Sequence, residues 1–121
     1  MRVLKDEKGV PLAVAYAPTG VWLAVASGKL TSVYDRGTWT LVTTLGGHAD
    51  LVRSIAWAHD GRHAATGGWD KTARVYRVDG WAHELTVTGH TRSIQHLAFL
   101  ANSTLLATAS YDKSVRVTKV R

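Results

Sequence analysis

The 121-residue chain reads as an all-β protein made of about three copies of one four-stranded unit. Three observations predict this. The first is a fixed period: Gly47-His48 returns as Gly89-His90, Asp70-Lys71-Thr72 as Asp112-Lys113-Ser114, Thr66 as Thr108, and ARVYR (73–77) as VRVTK (115–119), each 42 residues on. Self-similarity at one offset marks stacked repeats. The second is a succession of strand-length runs separated by turn residues. The third is the lack of room: four strands within 42 residues leave no space for a helix of ordinary length.

Taken in order, the first copy spans about residues 9–46 and is the most divergent. Stepping back 42 from Tyr76 lands on Tyr34, and from Trp81 on Trp39. Both prolines, Pro11 and Pro18, lie in this copy. The second copy, about 47–88, shows the pattern most clearly. SIAW (54–57), HAATG (63–67), ARVYR (73–77) and HELTVTG (83–89) are its strands, with turns at Asp60-Gly61, Gly67-Gly68, Asp70-Lys71 and Asp79-Gly80. The third copy, 89–121, stops after its third strand and lacks a fourth of its own. MRVLK (1–5) aligns by the same offset with the end of a fourth strand, so residues 1–5 are a candidate closing strand, against the plainer reading that the unit continues beyond the 121 residues.

Composition narrows the class. Hydrophobic residues are 45% and charged residues 20%, a globular balance. The absence of Cys excludes disulfides and thiolate zinc sites. MRVLKDEKGV has no signal-peptide core, and no run approaches the roughly 20 apolar residues of a membrane helix. An intracellular protein, cytoplasmic or nuclear, without membrane contact is expected. The net charge of +6 and pI of about 10.0 permit a polyanionic partner without requiring one.

The segment GHADLVRSIAWAHDGRHAATGGWDKTARVYR (47–77) resembles the repeat of the WD-repeat β-propeller family almost residue for residue. GHTRSIQHLAFLANSTLLATASYDKSVRVTK (89–119) resembles it less tightly, and GVPLAVAYAPTGVWLAVASGKLTSVYDRG (9–37) loosely. The resemblance implies three four-stranded blades, part of a longer propeller or of a ring completed by oligomerisation. A dimer would have six blades and a trimer nine, and propellers typically have four to eight. It also implies that the family's Trp-Asp position is filled by Tyr34-Asp35, Tyr76-Arg77 and Thr118-Lys119. Trp69-Asp70 lies earlier, in the turn between second and third strands.

The resemblance further implies a hydrogen-bonded scaffold of His, strand hydroxyl, turn Asp and third-strand aromatic. Carried over, these are His48, Thr66, Asp70 and Tyr76 in the second copy, and His90, Thr108 and Asp112 in the third. Histidine suits the role because its two ring nitrogens can link a carboxylate to a hydroxyl. In the first copy Asp6-Glu7 replaces Gly-His, while Ala24 and Gly28 stand where hydroxyl and Asp belong, so no network is expected there.

The expected function is a non-catalytic protein-interaction scaffold that presents a peptide-binding upper face. Trp69 and Tyr111 occupy the same turn position of adjacent copies. Trp69 either contacts a partner or packs onto the next blade, whereas Tyr111 is assigned to contact. Arg53, its equivalent Gln95, Arg92, Lys71 and Lys113 form a basic rim suited to an acidic or phosphorylated peptide, against the plainer reading of solvated surface charge. Arg74 and Arg116 are expected at exposed edges. His59, His63, His83 and His96 match no metal-ligand spacing and read as scattered turn and surface residues. Asn102-Ser103-Thr104 reads as a turn. No cofactor or metal is expected. His48, Thr66 and Asp70 mimic a catalytic triad, but the set recurs as scaffolding. The alternative function is polyanion or nucleic-acid binding through the basic surface.

Overall fold

The computed structural model describes residues 3–4, 9–100 and 103–120. Eleven strands follow one another: β1 Pro11–Tyr16, β2 Trp22–Ser27, β3 Leu30–Asp35, β4 Leu41–Leu45, β5 Val52–Trp57, β6 His63–Gly68, β7 Ala73–Arg77, β8 His83–Val87, β9 Ile94–Phe99, β10 Leu105–Ser110 and β11 Val115–Lys119. They form three antiparallel meanders, β1–β4, β5–β8 and β9–β11. Among the described residues the third sheet has three strands and no helix occurs. Val3 and Leu4 lie outside the strands, and the remainder of the segment 1–5 is outside the described residues.

The sheets stack face to face because their facing residues are apolar and small on one side. Ala17, Ala24, Val33 and Leu45 of the first sheet pack on Trp57, Ala64 and Tyr76 of the second. Ala58, Ala65, Ala73 and Val75 of the second pack on Ile94, Phe99 and Leu106 of the third. The β6 sequence HAATGG is buried throughout. At Gly67 a Cβ would stand 2.9 Å from Ile94 Cγ2 and 3.0 Å from Leu97 Cδ2, so close sheet approach requires glycine there. Trp57 also donates its Nε1–H to the Ala15 carbonyl across the first interface at 3.0 Å. Trp81 meets both Trp22 and Trp57 edge to face, at 5.4 and 6.2 Å.

Repeated turn geometry underlies the sequence anchors. Trp39 and Trp81 both take left-handed φ, 59° and 57°, in the turn after the third strand. Lys71 and Lys113 both sit at φ 72° in the turn before it. Ser103, at φ 58°, occupies the place that Gly61 holds at 74°, and its hydroxyl accepts the Asp60 N–H. The 102–104 segment is thus a turn at the described Ser103 and Thr104; Asn102 lies outside the described residues.

One part of the sequence alignment is corrected. Val14 pairs with Val25 where Ile55 pairs with Thr66, and Ala24 pairs with Val33 where Ala65 pairs with Val75. The offset between first and second copies is therefore 41 through β1 and β2, and 42 only from β3 onward. Val25, not Ala24, occupies the hydroxyl position. The cause is a shorter β2–β3 connection: four residues, 27–30, lie between the paired Ala26 and Thr31, where five, 68–72, lie between the equivalent pair Gly67 and Ala73, and Gly28 turns the chain at φ 59°.

Among the described residues, the two outer faces of the array expose apolar side chains. On the first sheet Val14 is 65% and Tyr16 51% exposed; on the third, Val115 is 65% and Val117 58% exposed.

Candidate functional site

The turns β2–β3, β6–β7 and β10–β11 define one end of the array, here the upper face. Two of them are fixed by the same set of bonds. Asp70 Oδ2 accepts from His48 Nδ1 at 2.9 Å and from the Ala49 N–H at 3.0 Å. Its Oδ1 accepts the Thr72 N–H at 3.1 Å and hydroxyl at 2.8 Å. His48 Nε2 meets Thr66 Oγ1 at 2.8 Å. In the third copy Asp112 binds His90 Nδ1 at 2.8 Å, the Thr91 N–H at 3.1 Å and the Ser114 N–H at 2.8 Å, together with the Ser114 hydroxyl. His90 Nε2 meets Thr108 Oγ1 at 2.8 Å.

Electrostatics follow from this geometry. Burial lowers the His48 pKa, more strongly than its bond to Asp70 raises it. The neutral ring then donates from Nδ1 to Asp70 and accepts the Thr66 hydroxyl at Nε2. Burial alone would raise the Asp70 carboxyl, but the Ala49 N–H, the Thr72 hydroxyl and His48 together hold it below the usual carboxylate range. The Ser114 hydroxyl is the largest influence on Asp112 and, with His90 and two backbone N–H groups, holds it far below that range.

Tyr76 departs from the expected chain. Its hydroxyl donates to the Gly46 carbonyl at 2.6 Å and accepts from Arg74 Nε at 3.0 Å, so the side-chain relay ends at Thr66. A phenol carries its donor at the ring tip and overshoots the threonine. Arg74 is also corrected: it is half-buried, with its guanidinium lying over the Tyr76 ring and against Gly47. A Cβ on Gly47 would fall 2.3 Å from Arg74 Cζ, and one on Gly89 would fall 2.8 Å from Arg116 Cζ. Both glycines have left-handed φ, 107° and 111°, so the Gly of Gly-His is required twice over. Arg116 remains exposed as expected. Thr118 provides no ring over it.

The upper face presents Trp69 at 45% and Tyr111 at 67% exposure, each directly before a fixed Asp. Their backbones are anchored, Trp69 N–H to the Leu51 carbonyl at 2.8 Å and Tyr111 N–H to Ser93 at 3.1 Å. Lys71, Lys113 and Arg92 are exposed, and Arg53 and Gln95 are half-buried. The ladder register skips between Val52 and Ser54, leaving Arg53 unpaired in a bulge opposite Gly67-Gly68; Gln95 sits at the matching skip. Bulges of this kind re-aim a side chain. Sequence reading placed Arg53 and Gln95 at strand starts but did not find the bulge.

The opposite end holds what the sequence reading missed. His63 is buried, not a surface residue, and its Nε2 meets Glu84 Oε2 at 2.9 Å. Its repeat equivalents are Leu105 and Trp22, apolar residues that signalled an inward position. With Arg62 and Arg77 it lines a recess of about 620 Å³. His59, His83 and His96 are exposed. Among the described residues no cluster of three His, Asp or Glu could hold a metal.

Three stacked antiparallel meanders, the second and third each fixed by a His–Asp–hydroxyl set at one end, define a propeller-type repeat protein. The model of the WD domain, G-beta repeat matches residues 39–77 and 81–118, most of the chain, and the chain belongs to that family. Its repeats resemble the human intraflagellar transport protein 122 homolog, 38% identical over 63 residues, 52% of this chain and 5% of that protein. They also resemble the guanine nucleotide-binding protein subunit beta of Schizosaccharomyces pombe, 33% identical over 64 residues, 53% of this chain and 21% of that one. Solved structures titled "Structure of U3-55K" and "Crystal structure of RRP9 WD40 repeats" each superpose with a TM-score of 0.93 at 23% identity, covering 98% of this chain and 38% of theirs. The chain thus spans a minor part of the proteins it matches. WD40 repeat proteins generally act as protein-interaction scaffolds.

Proposed function

We propose that this chain is a non-catalytic interaction module that binds a peptide of acidic character on its upper face, inside the cell. The observation that carries the reading is the pair Trp69 and Tyr111. Two large aromatics stand exposed at matching turn positions, on turns held rigid by Asp70 and Asp112. Rigid, half-exposed aromatics lose little entropy on binding and serve as interface anchors. Arg53, Arg92 and Lys71 lie at the same end and favour carboxylate or phosphate groups beside those anchors. The triad-like set argues against catalysis because Thr66 is 1% exposed and its hydroxyl donates into the His48 ring, out of reach of a substrate.

The test is selection from a displayed peptide library, followed by titration of the winners against variants. Trp69→Ala and Tyr111→Ala should each weaken binding at least about tenfold while the far-ultraviolet circular dichroism is unchanged. Retained affinity in the double variant would overturn the reading. Tight binding to duplex DNA with a log–log salt slope of several units would establish the polyanion reading in its place.

A further inference from the structure

We propose that the Asp79–Gly80 peptide isomerises to isoaspartate in the folded protein, and that this loop is where an isoaspartyl carboxyl methyltransferase acts on the chain. The site lies in the β7–β8 connection, at the end opposite the upper face. It is independent of the peptide-binding reading.

The chemistry needs an aspartate followed by a residue whose nitrogen no side chain shields. The Gly80 nitrogen attacks Asp79 Cγ and closes a succinimide ring. One carboxyl oxygen leaves as water, with the amide proton and a carboxyl proton. A second water then opens the ring. Breaking the new N–Cγ bond restores aspartate. Breaking the bond from the Asp79 α-carbonyl to the Gly80 nitrogen instead leaves the main chain running through the side chain, with a free α-carboxylate. One water leaves and one returns, so the mass is unchanged and nothing is oxidised.

Asp-Gly occurs twice in the chain, and the fold treats the two copies differently. The Asp79 side chain is 94% exposed, and its contact with Arg77 Nη2 at 3.6 Å joins two exposed groups, which hold each other weakly in water. A Cβ on Gly80 would meet nothing within 4 Å, so the loop tip is free to turn. The first sheet caps the same turn: Asp35 Oδ1 accepts the N–H of Gly37 at 2.7 Å and of Thr38 at 3.1 Å. Gly80 is the equivalent of Thr38, and Arg77 stands in the place of Asp35. A guanidinium has no acceptor, so the attacking nitrogen receives no such cap. Asp60–Gly61 is held instead. Gly61 donates its N–H to the Ala58 carbonyl at 2.9 Å, and its Cα packs so near Thr19 that a Cβ would fall 2.7 Å from Cγ2. Asp60 donates its N–H to Ser103 Oγ at 3.2 Å and accepts the Arg62 N–H at 2.9 Å. The other described aspartates precede Arg36, Leu51, Lys71 and Lys113, whose side chains hinder the attack. Exposure of the 79–80 loop belongs to the loop itself: residues 36–38, its counterpart, have the whole second sheet beside them and are exposed all the same.

The experiment ages the chain for weeks in neutral buffer at body temperature and maps it with trypsin. VDGWAHELTVTGHTR (78–92) should split into two chromatographic peaks of equal mass. The new peak should lose cleavage by an aspartate-specific protease and gain one methyl group from S-adenosylmethionine and the methyltransferase. SIAWAHDGR (54–62) should stay a single peak. Asp79→Glu, whose longer side chain does not close this ring, should lose the second peak with its circular dichroism unchanged. In guanidinium chloride both peptides should split, because only the fold protects Asp60. An unsplit 78–92 peptide would overturn the proposal, as would equal splitting of both peptides in the folded chain or a second peak that persists in Asp79→Glu. So would a 54–62 peptide that stays single in denaturant, since the fold would then not be what separates the two sites.

Discussion

Two buried threonines show how one residue type takes opposite meaning within one fold. Thr66 and Thr31 are each 1% exposed and each lie in a strand. The Thr66 hydroxyl serves the His48 ring, whereas the Thr31 hydroxyl, like that of Ser27, has no hydrogen-bond partner among the described residues. Valine matches threonine in shape and strand preference but has no hydroxyl. Thr66→Val should therefore destabilise the protein by about 1–3 kcal/mol, because it leaves His48 Nε2 buried and unpaired. Thr31→Val should stabilise it by about 1 kcal/mol, because it removes a group desolvated without return. Urea unfolding of both variants checks the opposite signs; a loss of stability at Thr31 would mean that its hydroxyl is bonded. The same network sets the pH response. The folded-state pKa of His48 lies below its ordinary 6.5, so the unfolded chain binds the proton first, and stability is complete above that pH and falls below it. Asp70 and Asp112 are depressed from 3.8, so their contribution is present above that value and lost as acid titrates the folded carboxylates. Thermal unfolding should show an onset of loss just below pH 6.5 and a steeper one below about pH 4, and His48→Asn should remove the first while keeping the second.

At the scale of the element, the second blade was the most legible because it keeps every local cue in register. Gly47-His48, Thr66, Asp70 and ARVYR each have a structural reason, and the third sheet repeats them. The first sheet was harder to read because its β2–β3 hairpin, built on left-handed Gly28, is one residue short, which shifts β1 and β2 without touching β3. A single period laid on the sequence cannot register such a step, so Ala24 stood in for Val25. The Arg53 bulge and the turn of Tyr76 toward Gly46 are likewise tertiary outcomes without a local signature. The Gly47–Arg74 contact is testable as a unit. Gly47→Ala meets both a left-handed backbone and the guanidinium, and should cost about 2–4 kcal/mol. Arg74→Ala removes the collision but leaves the backbone strain, so in the double variant part of the loss should return, a coupling of about 1 kcal/mol or more. Strict additivity in denaturant unfolding would show that the guanidinium yields freely and that strain alone requires the glycine.

For the molecule as a whole, stability rests on the two interior interfaces, since stacked repeats gain their free energy from neighbour contacts. Each is closed by one ring seated on small residues: Trp57 on Ala15, Ala17 and Ala24, and Phe99 on Ala56, Ala58 and Ala65. Trp57→Ala and Phe99→Ala should therefore each cost about 3–5 kcal/mol. Urea unfolding measures both losses; a cost below about 1 kcal/mol at either position would mean that the strand ladders, and not the stacked faces, carry the fold.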